Sequence, residues 1–166
     1  AEIKKTLTAQ SIEVHAYDAC VLLPPWEVKT GSGSHYSVFT PFWKSLSQMD
    51  IPQPLPSPGD RKGTRRGKVE IDYAPHWAAG VMDHWSVGET AARYKLARFL
   101  EDDLKGYPEN RDIPSVDGTS ALSPHLRFGE ISPRQIWAAT RHAMDAKPSL
   151  VSPGDKFLSE LAWREF

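Results

Sequence analysis

Four prolines at alternate positions, Pro52, Pro54, Pro56 and Pro58, run directly toward the basic stretch Arg61-Lys62-Gly63-Thr64-Arg65-Arg66-Gly67-Lys68. Each proline fixes its own φ, lacks an N–H and pushes the preceding residue out of helical space, so the repeat stays extended and joins no central strand. A connection of this length is improbable inside one compact domain. It therefore divides the chain into residues 1–50, a linker over 51–87, and residues 88–166. The basic run is read as a solvated loop in preference to a phosphate-binding one.

The N-terminal part has mixed patterning. Ile12-Glu13-Val14-His15-Ala16 alternates apolar and polar residues, and Cys20-Val21-Leu22-Leu23 is a short apolar run, so strands are expected at both places, the second stopped by Pro24-Pro25. Val38-Phe39-Thr40-Pro41-Phe42-Trp43-Lys44-Ser45-Leu46 carries apolar residues at helical spacing, with Thr40 the expected N-cap and Pro41 at the first helical position. These are the marks of the end of an α/β unit. One helix and two short strands do not cover both faces of a sheet, so its remainder is expected to come from elsewhere.

Residues 88–166 read as successive helices. Between Glu89 and Lys105 the residues Ala92, Leu96, Phe99 and Leu100 make one stripe, with Gly106 as the expected stop. Ser123-Pro124, Ser132-Pro133 and Ser152-Pro153 each offer a capping hydroxyl followed by a proline where a missing N–H costs nothing. Ile136, Trp137, Thr140 and Met144 mark the inner side of the second of these helices, and Phe157, Leu158, Leu161 and Ala162 that of the third. No glycine, proline or basic cap ends the third helix, so it is expected to run through Phe166 and the natural chain to continue beyond it.

Composition narrows the functional classes. At 166 residues, 40% hydrophobic and 25% charged, the chain suffices for one globular domain or parts of two. It has no apolar run of membrane-spanning length and no signal-peptide pattern, which together lead to the expectation of a cytoplasmic protein. The single Cys20 forms no internal disulfide and no metal cluster, and is expected as a buried thiol. A net charge of −1 gives no support from overall basicity to nucleic-acid binding, so any such claim rests on a local site.

Two local patterns carry chemistry. In Gly118-Thr119-Ser120-Ala121-Leu122-Ser123-Pro124, three hydroxyls and several backbone N–H groups converge on a helix start, which suits an anion such as a phosphate; the plainer alternative is an ordinary cap after a polar loop. In Glu160-Leu161-Ala162-Trp163-Arg164-Glu165-Phe166, Glu160, Trp163 and Arg164 share a helix face able to grip a planar polar ligand; the alternative is a surface ion pair beside a core tryptophan. Tyr107 and Arg111 either stack on or pair with a ligand, or shield a helix end. His125 and His142 lack partners at ligand or triad spacing and read as structural.

Tyr107 with Arg111-Asp112-Ile113-Pro114, then the block from Gly118 through Ser123-Pro124-His125-Leu126-Arg127-Phe128-Gly129-Glu130-Ile131-Ser132-Pro133-Arg134, then Glu160 to Phe166, resembles the photolyase/cryptochrome family in order and spacing. Upstream, Leu22-Leu23-Pro24-Pro25 and Val38-Phe39-Thr40-Pro41-Phe42 are similar to the close of that family's α/β antenna domain. The resemblance implies a Rossmann-like antenna end followed by the start of an all-α FAD-binding domain, mostly helical overall. It implies an internal piece of a blue-light-driven enzyme, most like class I cyclobutane pyrimidine dimer photolyases, that splits the dimer by electron transfer from reduced FAD. A cryptochrome photoreceptor without repair is the alternative.

By the same resemblance, Tyr107, Thr119, Ser120, Ala121, Leu122 and Ser123 hold the FAD diphosphate and its flanks. Phe157 stands at another FAD contact that is usually tryptophan, where phenylalanine keeps an apolar wall but loses the indole N–H. Glu160 and Trp163 meet the flipped dimer, and Arg111 and Arg164 belong to the lesion-binding surface. Glu160 with Trp163 favours repair over the photoreceptor alternative. The resemblance further implies a monomer acting on dimer-containing DNA, away from membranes, and leaves open a folate or deazaflavin antenna chromophore. The flavin-facing asparagine and the tryptophan relay of the family match nothing in this chain, which by itself is expected to be inactive.

Overall fold

The computed structural model describes residues 2–15, 20–57, 77 and 79–166. They form helices α1 (Glu2–Ala9), α2 (Phe39–Leu46), α3 (Ala79–Met82), α4 (Glu89–Arg98), α5 (Tyr107–Asn110), α6 (Ser123–Arg127), α7 (Pro133–Ala146) and α8 (Val151–Ala162). A π turn, Phe99–Asp103, and a 3-10 turn, Leu104–Gly106, join α4 to α5, and a second 3-10 turn, Pro148–Leu150, leads into α8. The basic run Arg61–Lys68 lies outside the described residues.

Both expected strands are absent among the described residues: 12–15 is irregular and 20–23 bends. Side chains, rather than a neighbouring strand, take up the backbone groups there. The Leu22 N–H donates to Glu165 Oε2 at 2.9 Å, its carbonyl accepts from Arg134 Nε at 2.9 Å, and the Cys20 carbonyl accepts from Arg164 Nη1 at 2.8 Å. This clamp lets Leu22 and Leu23 enter the core while Cys20, expected to be buried, is exposed.

The helical stripes are largely as expected, with departures at their ends. α2 begins at Phe39, one residue early: Val38 is the N-cap in extended conformation, Thr40 makes no cap bond, and Pro41 is the third residue, still in the turn whose N–H groups have no intrahelical partner. Its Phe42 and Leu46 are buried. Beyond α4 the helix does not stop at Gly106 but passes into α5 through the π turn. A regular α-helix would follow Ala92, Leu96 and Phe99 with Asp103; the wider π turn delays the register by one, so Leu104 and Tyr107 are buried instead.

Only one of the three Ser-Pro pairs caps its helix by side chain. Ser132 Oγ accepts from Gln135 N at 3.2 Å while Gln135 Oε1 accepts from Ser132 N at 2.8 Å, a capping box. Ser123 and Ser152 instead lie within α6 and α8, because the preceding backbone at Leu122 and Leu150 is already turned and occupies the N-cap positions. α8 ends at Ala162 rather than running through Phe166. The Glu165 and Phe166 N–H groups both return to the Ala162 carbonyl, tucking Phe166 against Phe39 and Phe42.

α8 packs against α7, α5 and α2. Gly154 permits its approach to α7: a Cβ there would lie 2.5 Å from Met144 Sδ. The shared core runs from Leu22, Phe42 and Leu46 through Ile136 and Leu158 to Phe99, Leu104 and Leu122. At its far side the rings of Phe99, Tyr107 and Phe157 meet with centroids 4.6–5.5 Å apart.

Candidate functional site

The residues singled out by sequence occupy the junction of three elements: the π turn leading to α5, the loop before α6, and the last two turns of α8. Tyr107 is buried, its ring edge-on to Phe157 with centroids 5.3 Å apart. Burial is the main cause raising its phenol pKa; the nearby Arg111 opposes the rise, and the Glu160 and Asp112 carboxylates add to it. Phe157 projects from α8 toward the same ring cluster and is itself buried.

The loop over 118–122 is shaped by its backbone. Gly118 is required because a Cβ would lie 2.5 Å from Asn110 Cβ. Ala121 has φ of 46°, in the left-handed region that non-glycine residues rarely occupy. These two features turn the hydroxyls outward from the core while Leu122 plugs it at 2% exposure. α6 is only five residues long, so its dipole is small and the hydroxyls and loop N–H groups carry most of any anion affinity.

A cavity of about 240 Å³ brings most of these residues to one surface: Tyr107, Ser120, Leu122, Ser123, Phe157, Glu160 and Arg164 all line it. Thr119 and Ala121 do not; with Ser120 they line an adjoining cavity of about 630 Å³, together with Thr90, Tyr94, Lys95 and Arg98. Ser120 belongs to both.

The charged groups differ from the surface pair weighed in the sequence. Glu160 pairs with Arg111 and, at 2.8 Å, with Lys156 Nζ, not with Arg164. Burial alone would push the Glu160 carboxyl up, but hydrogen bonding and attraction from Arg111 and Lys156 outweigh it and hold the pKa below the usual carboxylate range. The bond to Glu160 raises Arg111 in turn, and its guanidinium lies 5.7 Å from the Tyr107 ring centre. Arg164 is held by the Cys20 carbonyl and lies 3.8 Å from Glu165 Oε1.

Trp163 is not in the core. It caps the C-terminus of α8 at 52% exposure, with its ring stacked on Phe39 at 3.8 Å and 8°. Sequence reading missed Phe39 because the two lie far apart in the chain and only the fold joins them. It also missed Glu130, whose Oε2 lies 2.6 Å from His125 Nδ1 and whose Oε1 accepts from Gly88 N, tying α6 to the start of α4. His125 is thus buried and tied to Glu130 through Nδ1, while its Nε2 is buried without a hydrogen-bond partner. No group of His, Cys, Asp and Glu suited to a metal occurs among the described residues, and no helix there is long and apolar enough to cross a membrane.

Comparison with known proteins finds similarity to DNA photolyases. The family model described as DNA photolyase matches residues 1–59. A deoxyribodipyrimidine photo-lyase of Agrobacterium fabrum is 35% identical over 99% of this chain, and that of Escherichia coli 33% identical over 99%. The crystal structure of a bacterial class III photolyase from Agrobacterium tumefaciens superposes with a TM-score of 0.78 at 35% identity, covering 99% of this chain and 36% of that one. The chain spans 36% and 35% of the length of the two curated relatives. Along almost its whole length, then, this chain is similar to deoxyribodipyrimidine photo-lyases, and its residues 1–59 match the DNA photolyase family model.

Proposed function

We propose that this chain forms one wall of the flavin and lesion site of a light-driven DNA repair enzyme that splits cyclobutane pyrimidine dimers. The single observation that carries the reading is the cavity in which residues from separated stretches of sequence, Tyr107, then Ser120, Leu122 and Ser123, then Phe157, Glu160 and Arg164, face one space, with Trp163 outside it. A plain helical interaction module has no need of hydroxyls, an arginine and a carboxylate at the rim of an aromatic pocket.

The donor set suits FAD. The Thr119, Ser120 and Ser123 hydroxyls and the loop N–H groups would hold the diphosphate, with Tyr107 beside it, the Ala121 backbone shaping the turn, and Leu122 and Phe157 forming an apolar wall. FAD when bound supplies the photoexcited electron donor for dimer splitting. The chain's own residues bind and orient: Glu160 accepts a hydrogen bond from a base of the flipped dimer, Trp163 packs against it, and Arg111 and Arg164 neutralise nearby phosphate charge. Two local arginines serve the phosphate contacts on a protein of net charge −1.

By the same reading, residues 1–50 belong to an antenna domain, 51–87 to a linker and 88–166 to a helical FAD domain. The test uses the full product of the gene that carries this sequence, purified in the dark. It is expected to contain FAD and to restore dimer-containing DNA under blue light. Bound FAD without repair would assign the photoreceptor alternative, and a protein that takes up no FAD on reconstitution would overturn both.

A further inference from the structure

We propose that Phe39 is a positioning residue for lesion recognition, a pedestal that fixes the Trp163 indole in the plane against which the flipped dimer packs. This rests on the reading of Trp163 given above, and it assigns a role to a residue outside all three motif blocks, on a helix that lines neither cavity of the site.

Trp163 stands on the turn that closes α8, and an indole half exposed on a turn ordinarily samples several rotamers. Here it does not stand alone. The Phe39 ring lies parallel to it at 8° with centroids 3.8 Å apart, and Phe166 meets it edge-on at 5.7 Å and 84°. Phe39 covers one face and Phe166 meets the ring edge-on, Trp163 is 52% exposed, and no other ring among the described residues stacks on the face opposite Phe39. A flat apolar face left open to water is the surface on which a splayed base stacks.

The pedestal is itself anchored. α2 buries Phe42 and Leu46 in the core, and Phe39 also meets Phe42 at 6.2 Å and Phe166 at 5.8 Å. A near-parallel sandwich is not the arrangement two free rings prefer, so it is the surrounding packing that imposes it. An indole already held in its binding orientation loses less conformational freedom when the lesion arrives, which is the physical basis of preorganised affinity. Lesion recognition thereby depends on the N-terminal third of the chain as well as on α8.

The experiment compares Phe39→Leu, Phe39→Tyr, Trp163→Ala and the double variant Phe39→Leu/Trp163→Ala in the full gene product. Affinity for a dimer-containing oligonucleotide and for its undamaged counterpart is measured in the dark, and KM and kcat under light. Phe39→Leu is expected to weaken lesion binding roughly three- to tenfold, the range of one lost aromatic pair, and to raise KM with kcat unchanged. Affinity for undamaged DNA and FAD content should not move, Phe39→Tyr should restore binding, and in the Trp163→Ala background Phe39→Leu should cost nothing further. Unchanged lesion affinity in Phe39→Leu beside a clear loss in Trp163→Ala would overturn the pedestal and leave the reading of Trp163 intact. No loss in Trp163→Ala would overturn that reading and the pedestal with it. Additive losses in the double variant would show a general packing defect and also overturn the proposal.

Discussion

Arg111 and Glu160 meet across the junction between α5 and α8, so the two residues that sequence blocks assigned separately to the lesion surface form one ion pair. Lys156 joins Glu160 from the preceding turn of α8, and the side chains of the Arg111–Glu160 pair are only 22% and 25% exposed. Any lesion contact by Glu160 therefore uses a carboxylate already oriented and charged by its neighbours.

This pair sets a pH signature. The Glu160 pKa is below its unfolded value of about 4.3 because the bonds from Arg111 and Lys156 outweigh burial, so its stabilisation is present above that value and is lost as pH falls through the lowered folded pKa. Arg111→Ala removes the larger of the two opposing bonds and leaves burial less compensated. The variant should be destabilised more at pH 7 than at pH 3, measured by urea unfolding. An equal loss at both values would mean that Arg111 acts by packing alone.

The helices were legible because their inner stripes have the 3.6-residue period: Ile136, Trp137, Thr140 and Met144 of α7, and Phe157, Leu158, Leu161 and Ala162 of α8, are all buried as the spacing required. The expected strands failed for a different reason. An apolar run such as Cys20 to Leu23 looks the same whether its backbone pairs with a strand or with the side chains of Arg134, Arg164 and Glu165, more than a hundred residues away. The same holds for the site. The local blocks singled out Tyr107, Ser120 and Glu160, which line one cavity, but nothing in them announced that Arg111 would meet Glu160 or that Phe39 would underlie Trp163.

Glu165 should show the opposite pH behaviour from Glu160. Its carboxylate is buried, and burial raises its pKa despite the Leu22 N–H and the attraction of Arg164 and Arg134. The folded state thus holds its proton more tightly than the unfolded one, so its contribution to stability falls as pH rises from about 4.3 through the raised folded value. Glu165→Gln keeps an acceptor for Leu22 and removes that loss. The Tm of the variant relative to the unaltered protein should therefore be more favourable at pH 7 than at pH 4. A difference that is the same at both values would contradict the assignment.

Ser132 and Ser123 head similar Ser-Pro motifs but make different bonds, and stability should tell them apart. Ser132 closes the capping box at the start of α7, so Ser132→Ala should cost about 1 kcal/mol. Ser123 makes no cap bond and faces the cavity, so Ser123→Ala should leave the stability of the FAD-free protein nearly unchanged. Equal losses in chemical denaturation would show that the capping box is not what distinguishes them.

The approach of α8 to α7 at Gly154 should appear as coupling with Met144. A methyl group at Gly154 would meet Met144 Sδ at 2.5 Å and Cγ at 2.6 Å, closer than such atoms come without rearrangement. Gly154→Ala should therefore destabilise by about 1–3 kcal/mol through overpacking, despite the higher helix propensity of alanine. Met144 is buried, so Met144→Ala is costly in its own right, yet it empties the space that the new methyl needs. In that background Gly154→Ala should cost much less or become stabilising. Strictly additive losses in urea unfolding would mean that the two helices adjust elsewhere, and that the glycine is not what sets their distance.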